Sequence, residues 1–244
     1  MPGTLPPNDT RAVTDMLVAR ARTLGGTRLL PFGCITLGMK GTALTEMAEL
    51  QAAGVVGVTD DRWPIRDAGL LRRALEYAST FGLVVMQHCE EPDLVRGAFV
   101  HEGVRSIRMG LRGWPREAED AAVARDVRVA EMSGAHLHVA HLSSGGAVEV
   151  VREAKARGVR VTADVTPHHL SFTDSLLEGF NTLAKVVPPL REESDRQALL
   201  AGVRDGTIDA IATDHAPHHA LAKECELEVA LPGIAGLETA VSLL

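Results

Sequence analysis

Apolar and polar positions along the chain follow two spacings in alternation. Short runs rich in Val, Ile and Leu end in polar clusters, and each is followed by a stretch whose apolar residues recur at helical spacing and which a glycine often stops. The first helix is expected over 10–24, with Asp9 or Thr10 as N-cap, Val13, Met16, Leu17 and Leu24 near one face, and Gly25 as C-cap. Strands are expected over 28–36, 55–59, 83–86, 136–140, 160–165 and 208–213. Between and after them, helices are expected over 42–53, from Asp67 to Gly82, and over 117–133, 145–157 and 194–204. A last helix is expected to start near Gly236. The segment from Asp67 is the clearest, with Leu70, Leu71, Ala74, Leu75 and Ala78 on one face.

Strands that alternate with helices of this length imply parallel pairing through right-handed crossovers, and near-continuous apolar strands imply burial on both faces. A closed barrel and an open doubly wound sheet both satisfy that pattern. The strand ends separate them. Asp61, His88, His141, His169 and Asp214 each fall at or just after the carboxyl end of a different strand. Polar residues spread over many strand ends belong to a barrel mouth, whereas an open sheet gathers its ligand at one switch point. No Gly-x-Gly-x-x-Gly or Walker loop is present. The fold class is therefore α/β, read as a (β/α)8 barrel in one domain with no linker dividing it.

Composition narrows the function. With 244 residues and 45% hydrophobic residues the chain can build one large core, and its formal charge of −7 offers no basic patch for nucleic acid. No apolar run reaches a membrane-spanning length, and the first residues lack the pattern of a signal peptide. Three scattered cysteines, Cys34, Cys89 and Cys225, fit a reducing cytoplasm.

The chemistry lies in the histidines and aspartates. His88 follows Leu-Val-Val-Met-Gln; alone it would read as a core histidine, but it shares its position type with His141 and Asp214. Strand alternation puts His136, His138 and Ala140 on one face and Leu137, Val139 and His141 on the other, so His136 and His138 are read as supporting or outward-packing residues. Asp214, in Ile211-Ala-Thr-Asp-His-Ala-Pro-His218, is suited to act as a base beside a metal-bound water; the alternative is a helix N-cap. Asp60-Asp61 reads either as a turn or capping pair or as a source of a carboxylate bridging two metals. Imidazole and carboxylate donors suit Zn²⁺ best, with Mn²⁺ or Co²⁺ as alternatives; Cys89 is read as packing.

Together, Val58-Thr-Asp-Asp61, Gln87-His-Cys-Glu90, His138-Val-Ala-His-Leu-Ser143, Thr166-Pro-His-His-Leu170, Val187-Pro-Pro-Leu-Arg191, Ala212-Thr-Asp-His-Ala-Pro-His218 and Leu231-Pro-Gly-Ile-Ala-Gly-Leu-Glu-Thr239 resemble class I dihydroorotase of the amidohydrolase superfamily. The resemblance runs in order along the whole chain. It implies that Asp61 bridges two metals, that His88 and His141 bind the second and that Asp214 binds the first and serves as general base and acid. It further implies that His218, Pro232 and Gly233 contact substrate under a mobile lid over 219–231. The implied reaction is reversible hydrolysis of dihydroorotate to N-carbamoyl-aspartate in pyrimidine biosynthesis, with one or two zinc ions, a cytoplasmic location, and a homo-oligomer or aspartate carbamoyltransferase as partner. Alternatives are a hydantoinase or allantoinase, for which Lys40 is the only nearby lysine, and a non-catalytic subunit partnering aspartate carbamoyltransferase.

Several positions depart from the family pattern. The family's first-strand His-x-His pair and following arginine have no counterpart before Asp61, since the first histidine is His88. Gly3 and Val187 stand where the family has asparagines, and Arg62 replaces a glycine. The resemblance thus implies an incomplete barrel, lacking the first strand, most of the second and the small β domain. Such a fragment is expected to be poorly stable, aggregation-prone or completed by another chain.

Overall fold

The computed structural model describes residues 1–243. In chain order the helices are α1 (Arg11–Leu24), α2 (Met47–Ala52), α3 (Ala68–Thr80), α4 (Val104–Arg108), α5 (Glu117–Ser133), α6 (Gly145–Ala156), α7 (Pro167–Ser171), α8 (Glu193–Arg204) and α9 (Ala240–Leu243). The strands are β1 (Phe32–Gly33), β2 (Gly57–Val58), β3 (Val84–Gln87), β4 (Val100–His101), β5 (Gly113–Trp114), β6 (Leu137–Val139), β7 (Val161–Val165) and β8 (Ala210–Ile211). Six strands follow the hydrogen-bonded order β1-β2-β3-β6-β7-β8, and β4 pairs with β5 separately. The pairs β1–β2, β2–β3, β3–β6 and β7–β8 are parallel, so the α/β reading holds.

The chain forms two compact units. The first comprises Met1–Cys89, Arg125–Val139 and Ala154–Thr162; the second comprises Glu90–Ala124, Ala140–Glu153 and the chain from Ala163 onward. The first unit contains α3, whose five predicted core residues Leu70, Leu71, Ala74, Leu75 and Ala78 are all buried. Each of its leucines contributes about 1.5–3 kcal/mol by leaving water. Its N-cap is Asp67, which accepts hydrogen bonds from the Gly69 and Leu70 amides. In the same unit α1 ends at Gly25, where a φ of 67° suits glycine, and Gly25 N–H donates to the Ala21 carbonyl. The second unit packs Val100, Leu177, Ala184, Val186, Leu190 and Leu227 into one cluster, and Val95, Trp114 and Ala118 into another.

Three differences from the sequence expectations have physical causes. The strands are short: the run over 28–36 shrinks to Phe32–Gly33 because Pro31 has no amide and the Cys34 amide donates to the Asn8 carbonyl instead. The pair β4–β5 and the helix α7 were not expected, since two-residue strands carry no readable period, and α7 begins where Thr166 caps the His169 amide with Pro167 at its first position. Burial of every strand also fails at β8. Both Ala210 and Ile211 are exposed at the end of the strand order.

Candidate active site

Three of the four predicted metal ligands share one backbone feature. Asp61, His141 and Asp214 have φ of 58°, 40° and 43°, in the left-handed region that non-glycine residues rarely occupy. Each lies two or three residues beyond the end of a strand. Strained backbone of this kind gathers at functional positions.

In the first unit, β2 leads through Thr59 to the aspartate pair, and the two carboxylates have different roles. Asp60 is buried, and its carboxylate accepts from the Ile35 amide at 2.8 Å, the Thr36 amide at 2.9 Å and, through a short bond, the Thr36 hydroxyl. Burial pushes its pKa up while these donors oppose the shift. Asp60 is thereby committed to holding the loop after β1. Asp61 is half-buried; its amide donates to Thr59 Oγ1 at 3.1 Å, and a Cβ on Gly3 would fall 2.8 Å from its Oδ2. The Asp61 carboxylate thus fills the place that a side chain at position 3 would need. His88 is buried directly after β3. The Lys40 side chain belongs to an exposed turn. His136 and His138 both pair with Thr162 Oγ1, at 3.0 and 2.8 Å, which fits their placement on one face and a supporting role.

In the second unit the chain after β6 is clamped on both sides of its turn. The His141 amide donates to Asp164 Oδ1 at 2.8 Å, and Glu119 of α5 accepts from the Ser143 and Ser144 amides at 2.8 and 3.2 Å. The Ser143 hydroxyl makes a short bond to the same carboxylate. Arg191, 3% exposed, joins this clamp: its Nε donates to Ser143 Oγ at 3.1 Å, one Nη donates to the Trp114 carbonyl at 2.8 Å, and the other lies 3.7 Å from Glu119. His101 lies 3.3 Å from Arg191 Nη1, and its pKa is lowered to about 4 by burial, then by Arg191 and Arg116, with Glu192 opposing.

His169 departs from expectation. Its Nε2 donates to the Pro188 carbonyl at 3.1 Å, which fixes the proton on that nitrogen, and its Nδ1 pairs with the Thr166 hydroxyl at 2.7 Å. Both ring nitrogens are engaged, so it packs α7 rather than offering a donor to the strand end. His168, given no role in the sequence reading, is the more informative neighbour. It is buried, and its Nε2 has no hydrogen-bond partner. Its pKa is lowered to about 4 chiefly by burial, with Asp214 opposing the shift and His141 reinforcing it. Asp214 is exposed. The three predicted substrate residues do meet: His218 Nε2 donates to the Pro232 carbonyl at 2.8 Å, and a Cβ on Gly233 would fall 3.0 Å from that nitrogen. Gly233 has φ 142°, a conformation that requires glycine, and its amide donates to the Lys185 carbonyl at 2.8 Å. His218 also lines a cleft of about 390 Å³ with Phe180, Thr182 and Lys223. The segment over 219–231, expected as a lid, is tied down in this structure: Lys185 Nζ donates to the Leu227 and Glu228 carbonyls at 2.8 and 3.0 Å, and Leu227 is buried. Val187 packs against the Val95–Trp114–Ala118 cluster.

Among the described residues, no three His, Cys, Asp or Glu side chains form a group that could hold a metal ion. The donor types of the four ligand candidates, imidazole nitrogen and carboxylate oxygen, suit zinc. Among the same residues no helix is long and apolar enough to cross a membrane.

Comparison with known proteins bears on the family and the fold. The family model described as dihydro-orotase-like matches residues 1–147. The chain belongs to the dihydro-orotase-like family. Across its full length it is 49% identical to a dihydroorotase of Syntrophobacter fumaroxidans and 50% identical to one of Geobacter sulfurreducens. It spans 56% and 57% of the lengths of these two curated relatives. Among solved structures, L-hydantoinase from Arthrobacter aurescens matches the whole chain with a TM-score of 0.83 at 23% identity, over 56% of its own length. Dihydroorotase from Saccharomyces cerevisiae, in complex with 5-fluoroorotic acid, matches with a TM-score of 0.79 at 19% identity, over 68% of its length. These likenesses show the fold: an α/β chain with a parallel sheet, covering part of the barrel of this dihydro-orotase-like group.

Proposed function

We propose that the chain is the greater part of the barrel domain of a dihydroorotase, reversibly opening the cyclic amide of dihydroorotate to N-carbamoyl-aspartate in pyrimidine biosynthesis. The observation that supports this reading best is the identity of 49–50% to dihydroorotases along the full chain. In this reading Asp214 accepts the proton of the attacking water as the C–O bond forms at the ring carbonyl. It then returns that proton to the ring nitrogen as the C–N bond breaks. His218, with the backbone at Pro232 and Gly233, holds the substrate, and the left-handed backbone at Asp61, His141 and Asp214 aims their side chains. His168 is buried with an unpaired nitrogen within reach of the charges of Asp214 and His141.

The proposal includes one or two zinc ions with Asp61, His88, His141 and Asp214 among the donors. Such ions would need donors beyond those that the described residues bring together. A cytoplasmic location, and a homo-oligomer or aspartate carbamoyltransferase as partner, complete the reading. The test is a substrate panel run beside metal analysis on residues 1–244: dihydroorotate hydrolysis with bound zinc would support the reading and show that the further donors come from a neighbouring chain, whereas metal-poor, inactive protein would assign the activity to a longer parent. Cleavage of hydantoin or allantoin but not dihydroorotate would sink the reading in favour of another cyclic amidohydrolase. Metal-free protein co-purifying in fixed ratio with the carbamoyltransferase would favour a non-catalytic subunit.

A further inference from the structure

Lys185 is 5% exposed, and among the described residues no carboxylate forms an ion pair with its ammonium. A buried ammonium needs dipoles in place of the water it has lost. Here they come from one segment. Lys185 Nζ donates to the Leu227 carbonyl at 2.8 Å and to the Glu228 carbonyl at 3.0 Å, and it lies 4.6 Å from the centroid of the Phe99 ring. The main chain of the same residue secures the segment's far end, where the Lys185 carbonyl accepts from the Gly233 amide at 2.8 Å. A second lysine closes the near end. Lys223 Nζ donates to the Thr182 carbonyl at 3.2 Å, and the Thr182 hydroxyl donates to the Lys223 carbonyl at 2.5 Å. Apolar anchoring is sparse by comparison. Over 219–231 the buried apolar residues are Leu227 and Ala230, while Leu221, Val229 and Leu231 are exposed.

We infer that Lys185 is a positioning residue: by holding the Leu227 and Glu228 carbonyls, its ammonium sets the Pro232–Gly233 backbone, and with it His218, against the substrate. The link along the chain is short. Gly233 follows Glu228 by five residues, and the Pro232 carbonyl between them accepts from His218 Nε2 at 2.8 Å. Within that stretch the Ala230 amide donates to the Glu226 carbonyl and the Leu231 amide to the Ala222 carbonyl, so a displacement at 227–228 carries through to 232. Lysine suits the place. Its ammonium is a compact charge with three donors, able to serve two carbonyls and an aromatic face at once. Moving it from either carbonyl would leave a buried charge short of a partner, which makes the held state well defined. The inference rests on the dihydroorotase reading for the substrate, but not for the hold of Lys185 on the segment.

Hydrogen exchange read by mass spectrometry tests the hold without requiring turnover. In the intact chain the amides over 229–233 are expected to be protected. Lys185→Met is expected to speed their exchange by at least about tenfold, while α8, in the same unit, keeps its protection. Lys185→Arg, which keeps the charge and its donors, is expected to restore part of the protection over 229–233. Unchanged exchange there in Lys185→Met would overturn the inference. Loss of protection in α8 as well would also overturn it, because Lys185 would then stabilise the unit as a whole. In turnover, Lys185→Met is expected to raise KM for dihydroorotate about tenfold and to leave kcat within about threefold. The outcomes separate from those of the functional reading. Dihydroorotate hydrolysis with an unchanged KM in Lys185→Met would overturn the positioning role and leave the activity standing. A segment freed by Lys185→Met in a chain that cleaves only hydantoin would do the reverse.

Discussion

Asp61 and Asp214 follow different strands with the same left-handed backbone, yet their surroundings have little in common. Asp61 follows a buried strand, and the residue before it is held by three donors from the loop only about 25 positions earlier. Asp214 follows the exposed β8, is itself exposed, and owes its turn to a later segment. There Ala216 N–H donates to the Ile234 carbonyl at 3.0 Å, Leu237 N–H donates to His215 Nδ1 at 3.1 Å, and His218 reaches Pro232. One aspartate is thus aimed by a buried polar knot, the other by a surface strap. A residue aimed by a buried knot is coupled to the stability of its unit, whereas one on a strap can change its chemistry without unfolding anything.

That contrast gives a ranked set of expectations. Asp214→Asn should lower dihydroorotate hydrolysis by about 10²–10⁴-fold, the range for removing a general base, and leave the urea midpoint within error. A clear shift of the midpoint would show that Asp214 is structural. Glu119→Ala should cost about 3–5 kcal/mol in a urea melt, since it strands buried Arg191 and frees the Ser143 and Ser144 amides after His141. Asp60→Ala should cost about 1–3 kcal/mol by orphaning the Ile35 and Thr36 donors. If Asp60→Ala were silent in the same melt, the knot behind Asp61 would be no firmer than the strap behind Asp214.

A further effect is in pH, where His101 and Asp126 respond with opposite sign. In the second unit His101 has its pKa lowered to about 4, so between about pH 6.5 and 4 the unfolded chain binds a proton that the folded chain refuses. Stability from this group is full above about pH 6.5 and is lost as pH falls toward 4. In the first unit burial raises Asp126 to about 6, against the opposing pull of Arg125 and Cys89, so between about pH 6 and 4 the folded chain binds the extra proton and gains stability on acidification. His168 and His169, both lowered by burial, add to the loss. Net stability should therefore fall from pH 6.5 to 4.5. Asp126→Asn should steepen the fall and His101→Asn should make it shallower, each by about 1.4 kcal/mol per pH unit. Melting curves at three pH values would read this, and slopes changed in the opposite senses would refute the assignment.

Much of the architecture was legible in the chain. The bounds of α5 and the five core residues of α3 follow from helical spacing and from an Asp cap at one end and glycines at the other, all local signals. The strand-end placing of Asp61, His88, His141 and Asp214 was legible for the same reason: a polar residue ending an apolar run is visible in one dimension. The left-handed backbone at three of them was not, because nothing in an Asp or a His announces a positive φ. The partners of His169, the Thr166 hydroxyl and the Pro188 carbonyl, are not legible, because α7 is too short to show a period and Pro188 is 19 positions away.

What the sequence by itself determined is therefore the alternation of strands and helices, the parallel α/β class, and which residue types stand at the strand ends. Periodicity, caps and glycine stops act within a few residues, so they survive without a partner. Only the tertiary structure decided which of two adjacent aspartates is committed to structure, that Arg191 is buried against residues 48 to 90 positions away, and that β8 is exposed. Those outcomes depend on which polar groups must find partners once water is excluded, and a buried charge takes whichever partner the fold brings within reach, whatever its distance along the chain.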